Sequence, residues 1–139
     1  MNVAEPARKR EGVPGRGRDD TSAAEIFRAL WDSLADLMGN PAVAAILKKA
    51  LRLAAMREPE LRGIEIRYEE LEYKYALPDS WQKLWNGQMQ GVFRTLMGEL
   101  GPLLAQLTGP VAVRRLERLP LLQEKKIITS SEVQEWLKK

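Results

Sequence analysis

The chain contains no cysteine and no histidine. The first absence removes disulfides, thiolate nucleophiles, iron–sulfur ligation and thiolate zinc sites together. The second removes the imidazole general base, the Ser-His-Asp and Cys-His arrangements, and every His-ligated metal. Catalysis would have to rest on carboxylates, lysine, tyrosine or a borrowed cofactor, and no such set converges in the sequence. The expectation is a protein that is not an enzyme, with no catalytic residue, no metal and no cofactor.

Long hydrophobic runs are missing as well. The longest candidate, from Pro41 to Ala55, is interrupted by Lys48, Lys49 and Arg52, short of the roughly 18 apolar residues that a membrane span needs. The basic residues near the N-terminus are not followed by an apolar segment, so they do not read as a secretory signal. Glu5, Glu11, Asp19 and Asp20 are out of place in an organelle transit peptide. These features predict a cytoplasmic protein without membrane contact. Aromatic residues are few, at 6%, but four of them are Trp, so a core or an interface has large anchors. Charge of one sign is scarce: the net of +3 is small for a nucleic-acid coat and favours an acidic partner only weakly.

What is present is ordinary in amount. Of the 139 residues, 45% are apolar and 29% charged, enough for the core of one domain. Residues 1–20 are the exception, with no leucine, isoleucine or aromatic side chain and a charge of +5 against −4. Such a segment does not bury enough surface to offset its ordering entropy, and reads as a disordered charged tail. Residues 21–139 read as a single helical domain.

Ser22 and Glu25 have capping-box spacing. Behind them Ile26, Phe27, Leu30, Trp31, Leu34, Leu37 and Met38 fill an arc of roughly 140° at helical periodicity. Gly39 suits a helix C-cap, Asn40 an N-cap and Pro41 a first turn. They predict a second helix carrying Val43, Ile46, Leu47, Ala50, Leu51 and Ala54, folded back on the first. After Pro59 the period changes to two. Ile64, Ile66 and Tyr68 alternate with charged residues, as do Leu71, Tyr73, Tyr75 and Leu77. The apolar phase slips by one between Tyr68 and Leu71, which predicts a β-hairpin near 63–77 with its turn at Glu69-Glu70, rather than one bulged strand.

Asp79 and Gln82 then repeat the capping-box spacing, ahead of a long stripe from Trp81, Leu84 and Trp85 through Met89, Val92, Phe93, Leu96, Met97 and Leu100. Gly101-Pro102 should break or kink that helix. A short helix starts at Pro110 and ends at Pro120, and Thr129 with Glu132 caps a terminal one carrying Val133, Trp136 and Leu137. The expected fold class is mostly α, of the α+β type: about five helices with one β-hairpin.

Several groups could carry function. Glu69, Glu70 and Glu72 are a dense run of carboxylates, but alternation puts Glu70, Glu72 and Lys74 on one polar face of a hairpin, where solvated charges belong. Asp32 and Asp36 sit one turn apart, the polar edge of an amphipathic helix. Gly12-Val-Pro-Gly15-Arg-Gly17 lacks the preceding strand and the Gly-Lys-Ser/Thr ending of a phosphate loop. A helix-turn-helix over 111–139 would present Glu132 and Glu135 to DNA, a poor reading helix. Two sets survive. Arg114, Arg115 and Arg118 share an arc of about 100° on the short helix, with Lys125 and Lys126 soon after, and could meet phosphates or carboxylates. Tyr68, Tyr73, Tyr75, Trp81 and Trp85 could form core, an interface or an apolar pocket. The leading expectation is a non-catalytic interaction or regulatory protein, with a protein partner, self-association or both. The alternatives are a nucleic-acid-associated protein working through the arginine face and a sensor of a small apolar ligand.

Overall fold

The computed structural model describes residues 21–83 and 85–138. The tail expected over 1–20, and Leu84 in the expected stripe, lie outside them. Helix α1 (Ala23–Met38) opens on the Ser22–Glu25 capping box: the serine hydroxyl accepts from the Glu25 N–H and the Glu25 carboxylate accepts from the Ser22 N–H, both at 3.2 Å. It ends at Gly39, whose φ of 88° suits glycine and whose N–H donates to the Ala35 carbonyl at 2.8 Å. Helix α2 (Asn40–Ala54) follows at once, with Pro41 in its first turn. Asn40 is not its cap, however. Its carboxamide oxygen accepts from the indole N–H of Trp31 at 3.0 Å. A buried indole N–H left without an acceptor costs about 1–3 kcal/mol, more than a solvated helix-end amide, so the side chain serves Trp31 instead.

A 3₁₀ turn (Pro59–Gly63) leads into β1 (Glu65–Glu69) and β2 (Glu72–Ala76), an antiparallel pair in which Ile66 faces Tyr75 and Tyr68 faces Tyr73. The connection is the two residues Glu70 and Leu71, with φ of 51° and 68°. Positive φ at both positions is the geometry that matches strand twist, and it accounts for the slip of one in the apolar phase. Ile66, Tyr68, Tyr73 and Tyr75 therefore share one face. The other carries Glu65, Arg67, Glu69, Glu72 and Lys74, with Arg67 3.6 Å from Glu65 and 3.5 Å from Glu69.

The second half departs from the expected boundaries in three places. Asp79–Gln82 is a 3₁₀ turn that tucks Trp81 into the core, and Lys83 is extended. The long helix α3 (Gly87–Thr108) starts later, capped by the Asn86 oxygen accepting from the Met89 N–H at 3.0 Å. Trp85 lies before it, its N–H donating to the Thr21 carbonyl at 2.9 Å. Helix α3 also runs unbroken through Gly101-Pro102. Pro102 forfeits the one backbone bond to the Gly98 carbonyl, and Gly98 is exposed, so water can satisfy that carbonyl instead. Finally, Pro120 begins a turn of its own: α4 (Pro110–Glu117) and α5 (Pro120–Glu124) are separate, giving six α-helices among the described residues. The terminal helix α6 (Ser130–Lys138) follows the Thr129–Glu132 capping box, and its Trp136 lies on Gly101, where a Cβ would run into the indole.

One core joins these elements. Its spine is aromatic: Trp31 to Tyr75 at 5.0 Å, Tyr75 to Phe27 at 5.0 Å, Phe27 to Trp81 at 6.2 Å, Trp81 to Phe93 at 5.2 Å and Phe93 to Trp85 at 5.4 Å. Helix α2 packs most extensively on α3, and the hairpin lies over α1 and α2. Among the described residues no helix is long and apolar enough to cross a membrane.

Candidate functional site

The arginine face of α4 is largely compensated from within the chain. Arg114 pairs with Glu117 at 2.9 Å, one turn on, and Arg115 pairs with Asp36 of α1 at 3.1 Å. Arg118 alone makes no such pair among the described residues. At Lys125 and Lys126 the main chain is engaged: the Lys125 carbonyl accepts from Gln90 at 3.2 Å, and that of Lys126 from Arg94 at 3.1 Å. That loop fixes α3 against the C-terminal segment, with Arg94 also bound to Glu132 at 2.7 Å.

The aromatic set divides. Trp81 is buried, Tyr75 is half-buried against Phe27 and Trp31, and Trp85 rests on Phe93. The Tyr75 phenol titrates above its ordinary range because burial disfavours the phenolate, an effect partly offset by a hydrogen bond to Arg28 and reinforced by Asp32. Tyr68 and Tyr73 instead stack on each other at 4.7 Å near the hairpin tip, with Tyr68 57% exposed.

What sequence reasoning passed over lies on the outer side of α2. From Leu37 to Arg57 there is no acidic residue, while Lys48, Lys49, Arg52 and Arg57 are all cations. Arg57 finds Glu99 at 2.7 Å. Among the described residues Lys48, Lys49, Arg52 and Arg62 have no carboxylate or other hydrogen-bond partner. Lys48 and Arg52 are four apart on one helix face, a like-charge spacing that costs a few tenths of a kcal/mol.

These cations border a groove. Leu51 of α2, Ala55 just past its end, Leu61 of the 3₁₀ turn, Ile64 between that turn and β1, and Ile66 of β1 form its apolar wall. Lys48, Arg52 and Arg62 stand at the rim, and the whole encloses about 430 Å³. Met56, 75% exposed, adds apolar surface at one end. A second hollow of about 360 Å³ lies at the hairpin tip, lined by Asn40, Pro41, Tyr68, Leu71, Glu72 and Tyr73. Ile66, in the first hollow, and Tyr68, in the second, are successive residues on one face of β1, about 7 Å apart, and both hollows lie along the seam between α2 and the hairpin. The outer edge of β1 is open: the sheet has two strands, and among the described residues the β1 backbone bonds only to β2.

Chemically the seam offers apolar surface, unneutralised cations and free strand hydrogen-bonding groups side by side. It holds no nucleophile–base pair. Comparison with family models, with curated proteins and with solved structures gave no match, and what the seam can do follows from its own residues.

Proposed function

We propose that the chain is a non-catalytic protein–protein interaction protein that receives its partner along the seam between α2 and the β-hairpin. The observation that supports this is the groove: an apolar wall bordered by Lys48, Arg52 and Arg62, none with a counter-ion in the described chain. Anionic groups of a partner would relieve the repulsion among these cations, and its apolar side chains would cover Met56 and Ile64. The groove is open along one side, and a small apolar ligand would keep much of its surface wet there, whereas ligand pockets typically enclose about 70–90% of their occupant. A phosphate backbone has no use for an isoleucine-lined wall, and two of the three arginines expected to serve nucleic acid are paired with Glu117 and Asp36.

The test is affinity capture of the full chain under native conditions, quantifying every co-purifying protein, including differently tagged copies of the chain itself. The Lys48→Glu/Arg52→Glu/Arg62→Glu variant should lose its specific companions and the Arg114→Gln/Arg115→Gln/Arg118→Gln variant should keep them. An unchanged set of companions for the groove variant would reject the reading.

A further inference from the structure

The hairpin itself has the chemistry that the groove lacks. Leu71 stands at the tip, 85% exposed, between Glu69, Glu70 and Glu72; Glu69 and Glu70 reach Arg67 at 3.5 Å and Lys74 at 3.2 Å on the solvated strands, and Glu72 pairs with nothing among the described residues. The same chain therefore carries an acidic apolar tip and a basic apolar groove. They cannot meet within one molecule, because Leu71 lies five residues beyond Ile66, up to about 17 Å along the strand. We propose that the occupant of the seam is a second copy of this chain, joined by antiparallel pairing of the two open β1 edges about a two-fold axis at Ile66. This rests on the docking reading given above.

Register decides whether such pairing works, since residues directly opposite each other in an antiparallel pair share a face. Centred on Ile66, the pairing sets Ile66 against the partner's Ile66, Glu65 against the partner's Arg67, and Ile64 against the partner's Tyr68. Apolar meets apolar on the face turned to the helices, and opposite charges meet on the solvated face. At the strand ends this register lays the partner's Glu70–Leu71 turn beside the 3₁₀ turn that carries Arg62, at the rim of the groove. A shift of two residues, centring the pair on Arg67, would set Arg67 against the partner's Arg67 and Glu65 against the partner's Glu69. Like charges then stand opposed at every solvated position, which disfavours that register against the first. The result is a closed, isologous dimer with a four-stranded sheet ordered β2, β1, β1, β2, and it leaves neither β1 edge exposed.

The absence of cysteine makes the register directly testable. Glu65 and Arg67 are exposed, so Glu65→Cys and Arg67→Cys chains should fold as the parent does, which circular dichroism checks. Sedimentation of the full-length parent should show a dimer at micromolar concentration. Under mild oxidation, a mixture of the two cysteine variants should give at least fivefold more disulfide-linked dimer than either variant alone. Tip reversal (Glu70→Arg/Glu72→Arg) and groove reversal (Arg52→Glu/Arg62→Glu) should each lower self-association at least tenfold, and mixing the two should restore it, since both tips then meet grooves of opposite sign. A parent that stays monomeric at 100 micromolar, or a dimer whose cross-linking shows no preference for the mixture, would overturn the self-pairing. A monomer whose groove variant still loses a different captured protein would overturn the self-pairing alone and leave the docking reading standing.

Discussion

Two helices of this protein carry clustered cations on one face, and the fold treats them differently. On α4, Arg114 and Arg115 are answered by Glu117 and by Asp36, the latter 79 residues away in sequence. On α2, Lys48, Lys49 and Arg52 are answered by nothing among the described residues, and two of them border an apolar groove. The two clusters have the same spacing in sequence, yet the one left with binding capacity is on α2. A cluster of charges gains that capacity only where tertiary structure withholds counter-ions, and an acid arriving from α1 is invisible to local pattern.

Both helices rest on one core, and damage there should cost the most stability. Phe93 is fully buried and touches both Trp81 and Trp85, so Phe93→Ala should lower stability by about 3–5 kcal/mol, measured by urea denaturation. Trp31→Ala should fall in the same range, since it also strands Asn40. A loss under 1 kcal/mol at either position would mean that the helices are not held by this core.

Next in size is the contrast itself, read through binding. Reversing Lys48, Arg52 and Arg62 should weaken partner association about 100-fold or more, because it opposes like charges across the groove. Replacing Arg114, Arg115 and Arg118 with Gln should change it less than threefold. Titration calorimetry or biolayer interferometry with the captured partner reads both. Equal losses would abolish the distinction between the two helices.

Much of the fold was legible in the sequence, and the reasons are local. Ser22-Ala-Ala-Glu25 and Thr129-Ser-Ser-Glu132 both form the boxes their spacing announces, because a capping box needs only residues three apart. The one-residue slip between Tyr68 and Leu71 correctly marked a hairpin because side-chain direction alternates strictly along a strand. Where local signals competed, the reading failed. Asp79 and Gln82 have the spacing of a cap, but burying Trp81 takes a 3₁₀ turn, and the helix waits for Asn86. The groove was missed for a different reason. Its residues come from α2, the 3₁₀ turn and β1, and only the acid-free run from Leu37 to Arg57 hinted at it.

Glu70 and Leu71 hold left-handed backbone conformations that favour Asn and Gly, at a cost of roughly 1–2 kcal/mol per residue. Glu70→Asn/Leu71→Gly should therefore stabilise the isolated chain by about 1–2 kcal/mol in denaturant titration. The same change removes the apolar tip and one of its carboxylates, so self-association should weaken. Stability and docking moving in opposite directions would show that the turn is kept for contact rather than for folding. A destabilised variant would show that Leu71 supports the fold in a way its exposure does not suggest.

The smallest expected effect on stability bears on the α4 side. Arg115 and Asp36 are both more than a third exposed, so their pair is screened by solvent, and Asp36→Asn should change stability by less than about 1 kcal/mol. Its effect on binding should be easier to see. With Asp36 and Glu117 both neutralised by Asp36→Asn/Glu117→Gln, Arg114, Arg115 and Arg118 become a bare cationic face beside the buried Val113 and Leu116. Retention on immobilised heparin should rise relative to the parent and fall steeply with salt, because the new contacts release counterions from the polyanion. The double substitution also adds two units of net charge, so a control with two exposed acids of the hairpin neutralised, Glu65→Gln/Glu72→Gln, separates a local face from a general increase in charge. Equal retention for the variant and this control would mean that Glu117 and Asp36 do not mask the arginines. The two cationic helices would then differ only in the apolar groove beside α2, and charge compensation would have no part in the choice between them.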